Sequence, residues 1–225
     1  MRSLDLAMIC IFLPLAISAL LVVVPPLRRV GKIAAMFSIS AAAAAVGAAA
    51  MLMRELLATG GLLAHKTIIW LPHTALHQKL SSAANIEVGI HLDGVSVPML
   101  LVVCVVALCV QLFSWGYLAD EPSADFGRYF TWQSLFLFSM NSLVVAPNLL
   151  QLFLGWELVG LVSYLLIGYW WKKPSAARAA VKAFWITKFA DMGLLVGLMI
   201  LFLNTGSFNW TATTQVAPVV TALFF

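Results

Sequence analysis

Long apolar runs separated by short polar stretches dominate the chain, and this pattern predicts membrane-spanning helices. A helix that crosses a bilayer needs about 20 mostly apolar residues at about 1.5 Å rise each. A seventh run starts at Val216 and reaches the last residue, Phe225, too soon to span a bilayer. The sequence therefore predicts six spanning helices and the start of a seventh. The six runs are about Leu4–Val24, Ile33–Met53, Val97–Tyr117, Phe126–Ala146, Asn148–Trp171 and Ala179–Leu203.

The one long polar stretch, residues 54–98, separates the second predicted span from the third. Within it, residues 86–93 alternate between apolar and polar side chains, which is typical of a half-buried strand. Lys66–Leu71 is a candidate partner strand, so we expect a small extramembrane β-hairpin. His73 and His77 lie four residues apart in this stretch. Without further ligands nearby, we interpret them as part of a solvated loop, and no metal site is predicted.

The composition places the chain in the class of all-α polytopic membrane proteins. It is 63% hydrophobic and only 10% charged, with a mean hydropathy of +1.00, which excludes an ordinary soluble domain. The net charge of +4 is therefore interpreted as an orientation signal, and no nucleic-acid partner is expected. Most Lys and Arg residues in short loops follow the first, third and fifth spans. The positive-inside rule then places the N-terminus and the hairpin outside.

One carboxylate, Glu157, lies inside the fifth predicted span, roughly 13 Å from its outer end. A charge at this depth costs about 2.5–3.5 kcal/mol on insertion scales, so such residues usually face a bundle interior or a hydrated path and handle protons or ions. The alternative is a neutral, protonated Glu157 that hydrogen-bonds neighbouring helices as a structural contact.

The sixth predicted span carries two more ionisable residues, Lys188 and Asp191. They lie roughly 24 Å and 20 Å from its outer end, within the ~30 Å hydrocarbon slab. Their i,i+3 spacing places them on one helical face, where they can pair. Glu157 then holds a proton of its own or waits for another cation, and a moving ammonium would load and unload that proton. The alternative is a static Lys188–Asp191 pair that fixes helix packing.

Three segments carry a resemblance to a known family. They are G-W-E-L-V-G-L-V-S-Y-L-L-I-G from Gly155, A-V-K-A-F-W-I-T-K-F-A-D from Ala180 and H-L-D-G-V-S-V-P-M-L from His91. Together they resemble the antiporter-like subunit L of bacterial NADH:quinone oxidoreductase (respiratory complex I), the counterpart of mitochondrial subunit 5. The resemblance covers most of residues 85–204.

This resemblance implies roles for four residues. Glu157 matches the family's proton-channel glutamate on helix 5, and Asp191 matches its helix-6 aspartate. Lys188 stands where the family commonly has a basic residue, and Lys182 falls in the family's K-A-F segment. The resemblance also implies two parts: leading helices 1–3 with the outer hairpin loop (1–118), and the first part of an antiporter-like repeat (119–225). Family members are more than twice as long, so we expect a fragment or a second chain that supplies the channel lysine of helix 7.

The function implied is that of a proton-translocating membrane subunit, which couples quinone reduction to proton transfer. Redox chemistry, with NAD, FMN, iron–sulfur clusters and quinone, would belong to partner subunits, and no cofactor or metal is expected in this chain. The expected partners are other membrane subunits and the lipid bilayer, in a bacterial inner membrane. Two alternatives remain open: a subunit of a multisubunit cation/proton antiporter or bicarbonate transporter, and a truncated piece that serves only assembly.

Overall fold

Long helices form from the apolar runs, and a two-stranded sheet forms from the alternating segment. The structure, a computed structural model, describes residues 2–61, 63–71 and 86–210. The predicted start of a seventh helix, and His73 and His77, lie outside these residues. The described elements are α1 (Arg2–Val23), α2 (Pro25–Arg29), α3 (Gly31–Thr59), β1 (Ala64–Leu71), β2 (Ile86–Leu92), α4 (Ser96–Tyr117), α5 (Ser123–Val144), α6 (Leu149–Ile167) and α7 (Pro174–Thr205).

Five of the described helices, α1, α3, α4, α6 and α7, are long and apolar enough to cross a membrane. A polytopic helical membrane protein with a small sheet is thus confirmed, whereas the sixth span is not. The fourth predicted span does form a helix, α5, of 22 residues. This helix is long enough to cross a membrane but not apolar enough, because it carries a stripe of buried polar residues: Thr131, Gln133, Ser134, Ser139 and Asn141.

Neighbouring helices, rather than lipid, surround the polar stripe of α5. The helix packs against α1, α3, α4 and α6. The Ser134 hydroxyl lies 2.7 Å from the Ser38 hydroxyl of α3, which also lies 3.0 Å from Oε1 of Gln111 on α4. Asn141 donates from Nδ2 to the Cys10 carbonyl of α1 at 2.8 Å. Polar contacts of this kind hold membrane helices together, so α5 is the helix around which α1, α3, α4 and α6 pack.

Close helix packing depends on glycines at two points of α5 and α6. A Cβ built on Gly127 would lie 2.0 Å from the Arg28 carbonyl oxygen, so only glycine allows α2 to approach α5 this closely. A Cβ on Gly155 would lie 3.0 Å from Cα of Leu143, so glycine at this position allows α6 to pack closely against the end of α5. The Gly155 contact sets the position of α6 against α5, and α7 packs mainly on α6.

The hairpin is antiparallel, as predicted, with Ala64 opposite Leu92 and Ile69 opposite Glu87. Two side chains at the start of α6 hold β2, the second strand of the hairpin, in place. Gln151 makes a pair of hydrogen bonds with the backbone of Gly89: it accepts from the N–H at 2.8 Å and donates to the carbonyl at 2.9 Å. Asn148 donates to the Glu87 carbonyl at 2.7 Å. The hairpin is therefore fixed to the helix that carries Glu157.

Asp93 links the hairpin to the start of α4. Its Oδ1 accepts hydrogen bonds from the backbone N–H of Val95 at 3.1 Å and of Ser96 at 2.7 Å, and its own N–H donates to the Ser96 hydroxyl at 2.8 Å. Burial raises the pKa of Asp93, but the hydrogen bonds from Ser96 and Val95 and the nearby His91 together lower it below its usual value of 3.8. The carboxylate is therefore held ionised at the first turn of the helix.

Candidate functional site

Lys188 of α7 lies between two carboxylates, one on its own helix and one on α6. Its Nζ is 2.9 Å from Oδ2 of Asp191, the i,i+3 pair that the spacing predicts. The same Nζ also contacts Oε2 of Glu157 and donates a hydrogen bond to it. We call Glu157, Lys188 and Asp191 the ion triad. The sequence left open whether Glu157 pairs with a cation, and the structure supplies Lys188 as that cation.

The contact between Glu157 and Lys188 corrects the depths inferred from the sequence, which separated the two residues by about 11 Å along the membrane normal. The difference has a physical cause at the end of α7. This helix runs to Thr205, and the chain then turns at Gly206, which has a φ of 71°, so that the Phe208 carbonyl accepts the N–H of Leu149 at 3.0 Å. The end of α7 thus lies beyond the start of α6, which brings Lys188 level with Glu157.

Trp156 is a site residue that the sequence reasoning missed. Its indole Nε1 donates to Oδ1 of Asp191 at 2.7 Å, while the other oxygen of Asp191 faces Lys188. Both oxygens of this carboxylate are therefore held by donors. Only its position next to Glu157 could have marked Trp156 as a site residue in the sequence, because a tryptophan in an apolar run is usually a packing residue.

The triad lies beside a groove between α6 and α7. Asp191 is buried, with a side chain that is only 9% exposed, whereas those of Lys188 and Glu157 are 20% and 32% exposed. The groove has a volume of about 160 Å³. Its lining consists of Phe153, Glu157, Trp185, Lys188, Phe189, Asp191, Met192 and Leu195. All three charged residues line this otherwise apolar cleft, and Glu157 and Lys188 are the more exposed of them.

Gly160 completes the surroundings of the lysine. A Cβ at this position would lie 3.2 Å from Nζ of Lys188, so the absence of a side chain leaves the ammonium the space it occupies. Lys182, by contrast, is not brought to the triad. It is exposed on α7, about 9 Å along the helix axis from Lys188, and forms no ion pair with any described residue.

The charges of the triad do not cancel when all three groups are ionised. One ammonium faces two carboxylates, which leaves one net negative charge on the triad. Within residues 2–61, 63–71 and 86–210, no cluster of three or more metal-ligating side chains is present.

Two family models match the chain. Residues 80–130 match the model described as NADH-ubiquinone oxidoreductase (complex I), chain 5 N-terminus. Residues 146–223, which include the whole ion triad, match the model described as NADH:quinone oxidoreductase/Mrp antiporter, transmembrane.

A solved structure shares the fold over nearly the whole chain. It belongs to the membrane-bound sulfane sulfur reductase, an archaeal respiratory membrane complex. The TM-score is 0.74 at 20% identity, and the match covers 97% of this chain and 41% of that one.

Curated relatives match at higher identity. NADH-quinone oxidoreductase subunit L of Mycobacterium tuberculosis is 37% identical over 194 residues, 85% of this chain and 29% of the relative. The subunit L of Rhodobacter capsulatus is 43% identical over 61% of this chain and 20% of its own length. Chain 5 of the NAD(P)H-quinone oxidoreductase of Synechocystis is 44% identical over 56% of this chain and 18% of its own length. The chain thus spans less than a third of these relatives, and it belongs to the family of antiporter-like subunits, named subunit L or chain 5, of NADH:quinone oxidoreductase.

Proposed function

We propose that this chain is a proton-translocating, antiporter-like membrane subunit of an NADH:quinone oxidoreductase, and that the ion triad is its proton site. The observation that carries the proposal is the single ammonium of Lys188 held between carboxylates from two helices, next to a groove. The named relatives, all from quinone-reducing complexes, support the same role.

The lysine side chain is the moving part in this proposal. When Nζ of Lys188 leaves Glu157 and stays with Asp191, Glu157 loses its counter-charge and takes up a proton from the groove. When Nζ returns, the ammonium stabilises the ionised Glu157 carboxylate, and the proton is released. Trp156 holds Asp191 in position throughout, so that Asp191 remains the resting partner of the lysine. No bond other than that to the proton is made or broken.

Lys182 is the fourth residue proposed for the pathway. Its place on α7, about 9 Å from Lys188 towards the start of the helix, suits a second cation on the route between the triad and the inner face. Its exposure in the described part of the chain leaves room for a neighbouring segment or subunit beside it.

The remaining parts of the proposal concern the assembly. NADH oxidation and quinone reduction, with FMN and iron–sulfur clusters, belong to other subunits, and this chain carries protons only. Its partners are other membrane subunits and the lipid of a bacterial inner membrane. We propose six crossings within residues 1–210, with α5 crossing as the shielded one and the hairpin on the outer side. Residues 1–118 and 119–225 are proposed as two parts, leading helices and antiporter-like repeat.

The test is the substitution Glu157→Gln in the complete membrane complex. It removes the titrating oxygen but keeps the size of the side chain, so we expect fewer protons moved per electron while NADH still binds and is oxidised. The matched control is Glu55→Gln on α3, a helix whose main contacts are with α1, α2, α4 and α5. An unchanged proton-to-electron ratio in Glu157→Gln would contradict the proposal.

A second candidate is cation/proton antiport without redox chemistry, since the model matching residues 146–223 is described for both oxidoreductases and an antiporter. The same triad would then exchange a sodium ion for a proton. Proton flux in vesicles that needs sodium and does not need NADH would favour this candidate. Flux that follows NADH oxidation and ignores sodium would favour the oxidoreductase.

A further inference from the structure

The hairpin places two histidines directly opposite each other. His65 of β1 pairs with His91 of β2, so their side chains project from the same face of the sheet. The ring centroids are 5.1 Å apart in an edge-to-face arrangement, and the two Nδ1 atoms are 2.9 Å apart. This distance requires that one Nδ1 carries a proton and the other accepts it. The N–H of one ring and the lone pair of the other therefore point at each other across one short gap.

That gap is close to the right size for a metal ion. Zinc binds histidine nitrogen at about 2.0–2.1 Å, and two such ligands in tetrahedral geometry lie about 3.3 Å apart. The rings need to separate by about 0.4 Å and each to turn by about 35°, so that both lone pairs aim at an ion beside the line between the two nitrogens. His65 is exposed. It can therefore lose its Nδ1 proton to water and take another on Nε2, so the exchange leaves both imidazoles neutral.

Asp93 supports His91 as a ligand from behind. Its Oδ2 lies 3.5 Å from Nε2 of His91, on the side of the ring away from His65. A carboxylate there attracts the ring proton to Nε2 and leaves the Nδ1 lone pair available, the arrangement common behind metal-bound histidines. The N–H groups of Val95 and Ser96 fix the other oxygen of Asp93, so the carboxylate cannot easily turn away.

We propose that Nδ1 of His65 and Nδ1 of His91 form a binding site for a divalent transition-metal ion of the zinc and copper class, with water in the remaining positions and Asp93 orienting His91. Imidazole suits these ions, whereas magnesium and calcium prefer oxygen. Two protein ligands make the site weaker and more exchangeable than a four-ligand structural zinc site. The bound ion joins β1 to the strand that Gln151 holds against α6. The proposal is independent of the proton-translocating role.

The experiment titrates zinc ions alone into the full chain in lipid nanodiscs, in competition with a chromogenic zinc chelator. We expect saturable binding of one ion per chain. His65→Gln and His91→Gln should each weaken binding by about tenfold or more, because each removes one of two ligands. Asp93→Asn should weaken it by about 10–100-fold, because the amide no longer orients the ring. Asparagine retains an oxygen for the Val95 and Ser96 N–H groups, so α4 keeps its first turn.

The chain's other two histidines provide the control. His73→Gln/His77→Gln should leave zinc binding unchanged. A double variant that loses binding would overturn the proposal, as would zinc binding that is undiminished in His65→Gln or His91→Gln. The unmutated chain gives a test that does not depend on variant folding: its copper(II) electron paramagnetic resonance spectrum should show coupling to two imidazole nitrogens. One nitrogen or none would equally overturn the site.

Discussion

Gly160→Ala tests the ion triad without altering a charged residue. The new methyl carbon would lie 3.2 Å from Nζ of Lys188, whereas an unstrained contact needs about 3.5–4.0 Å. We therefore expect the ammonium to move by about 0.3–0.8 Å. If its separation from Asp191 grows from 2.9 Å to about 3.5 Å, the attraction falls by about 1 kcal/mol at an effective dielectric constant of 20. This corresponds to about a fivefold change in how the lysine divides between its two carboxylates.

The assay is proton pumping by the complete complex in proteoliposomes, followed with a pH-sensitive dye and normalised to NADH oxidation. Gly193→Ala is the matched control, because a Cβ there meets no atom within 4 Å. Both substitutions replace a mid-helix glycine, so both gain similar helix propensity, up to about 1 kcal/mol. We expect pumping to fall severalfold in Gly160→Ala only. Equal pumping by the two variants would refute the idea that the lysine's position controls transfer.

Three further substitutions test other contacts. Trp156→Phe removes the indole donor to Asp191, a charge-assisted bond worth about 1.5–3 kcal/mol, and should slow pumping at unchanged assembly; normal pumping would show that the bond has no functional role. Gln151→Leu leaves the backbone N–H and carbonyl of Gly89 in β2 without their side-chain partner, which should cost about 1–3 kcal/mol of local stability and speed up hydrogen exchange there. Unchanged exchange would show that Gln151 does not hold β2. In Gly127→Ala the new Cβ meets a backbone oxygen at 2.0 Å, so the substitution should cost about 1–3 kcal/mol or more and lower the unfolding temperature. The control Gly47→Ala adds a Cβ in open space. Equal unfolding temperatures of the two variants would disprove the close approach of α2 to α5.

The positions of most helices and of β2 along the chain could be predicted from the sequence. The length of an apolar run and the alternation of side chains are local properties that need no knowledge of the fold. The apolar runs identify α1, α3, α4, α6 and α7, and alternation identifies β2. The polar residues of α5 can also be read from the sequence. Their consequence cannot, since whether Asn141 and its neighbours face helices or lipid depends on how helices pack around α5.

The composition of the candidate site could also be predicted, but its internal pairing could not. Charge within an apolar run identifies Glu157, Lys188 and Asp191 as unusual, and i,i+3 spacing predicts the Lys188–Asp191 pair. The contact with Glu157 depends on how far α7 extends past the start of α6, a property of the fold-back after Thr205. The register that opposes His65 to His91 likewise needs the path of the whole hairpin.

The length of α7 has a consequence for how the proposed proton site would sense membrane voltage. Its 32 residues extend over about 48 Å, so in a helix centred in the bilayer Lys188 and Asp191 lie within about 3 Å of the midplane. A proton that reaches this level from either face has crossed about half of the electric field. Each half-journey then involves about 1.2 kcal/mol per 100 mV. Loading and discharge would thus share the electrical work almost equally, and neither step alone would have to overcome the full potential.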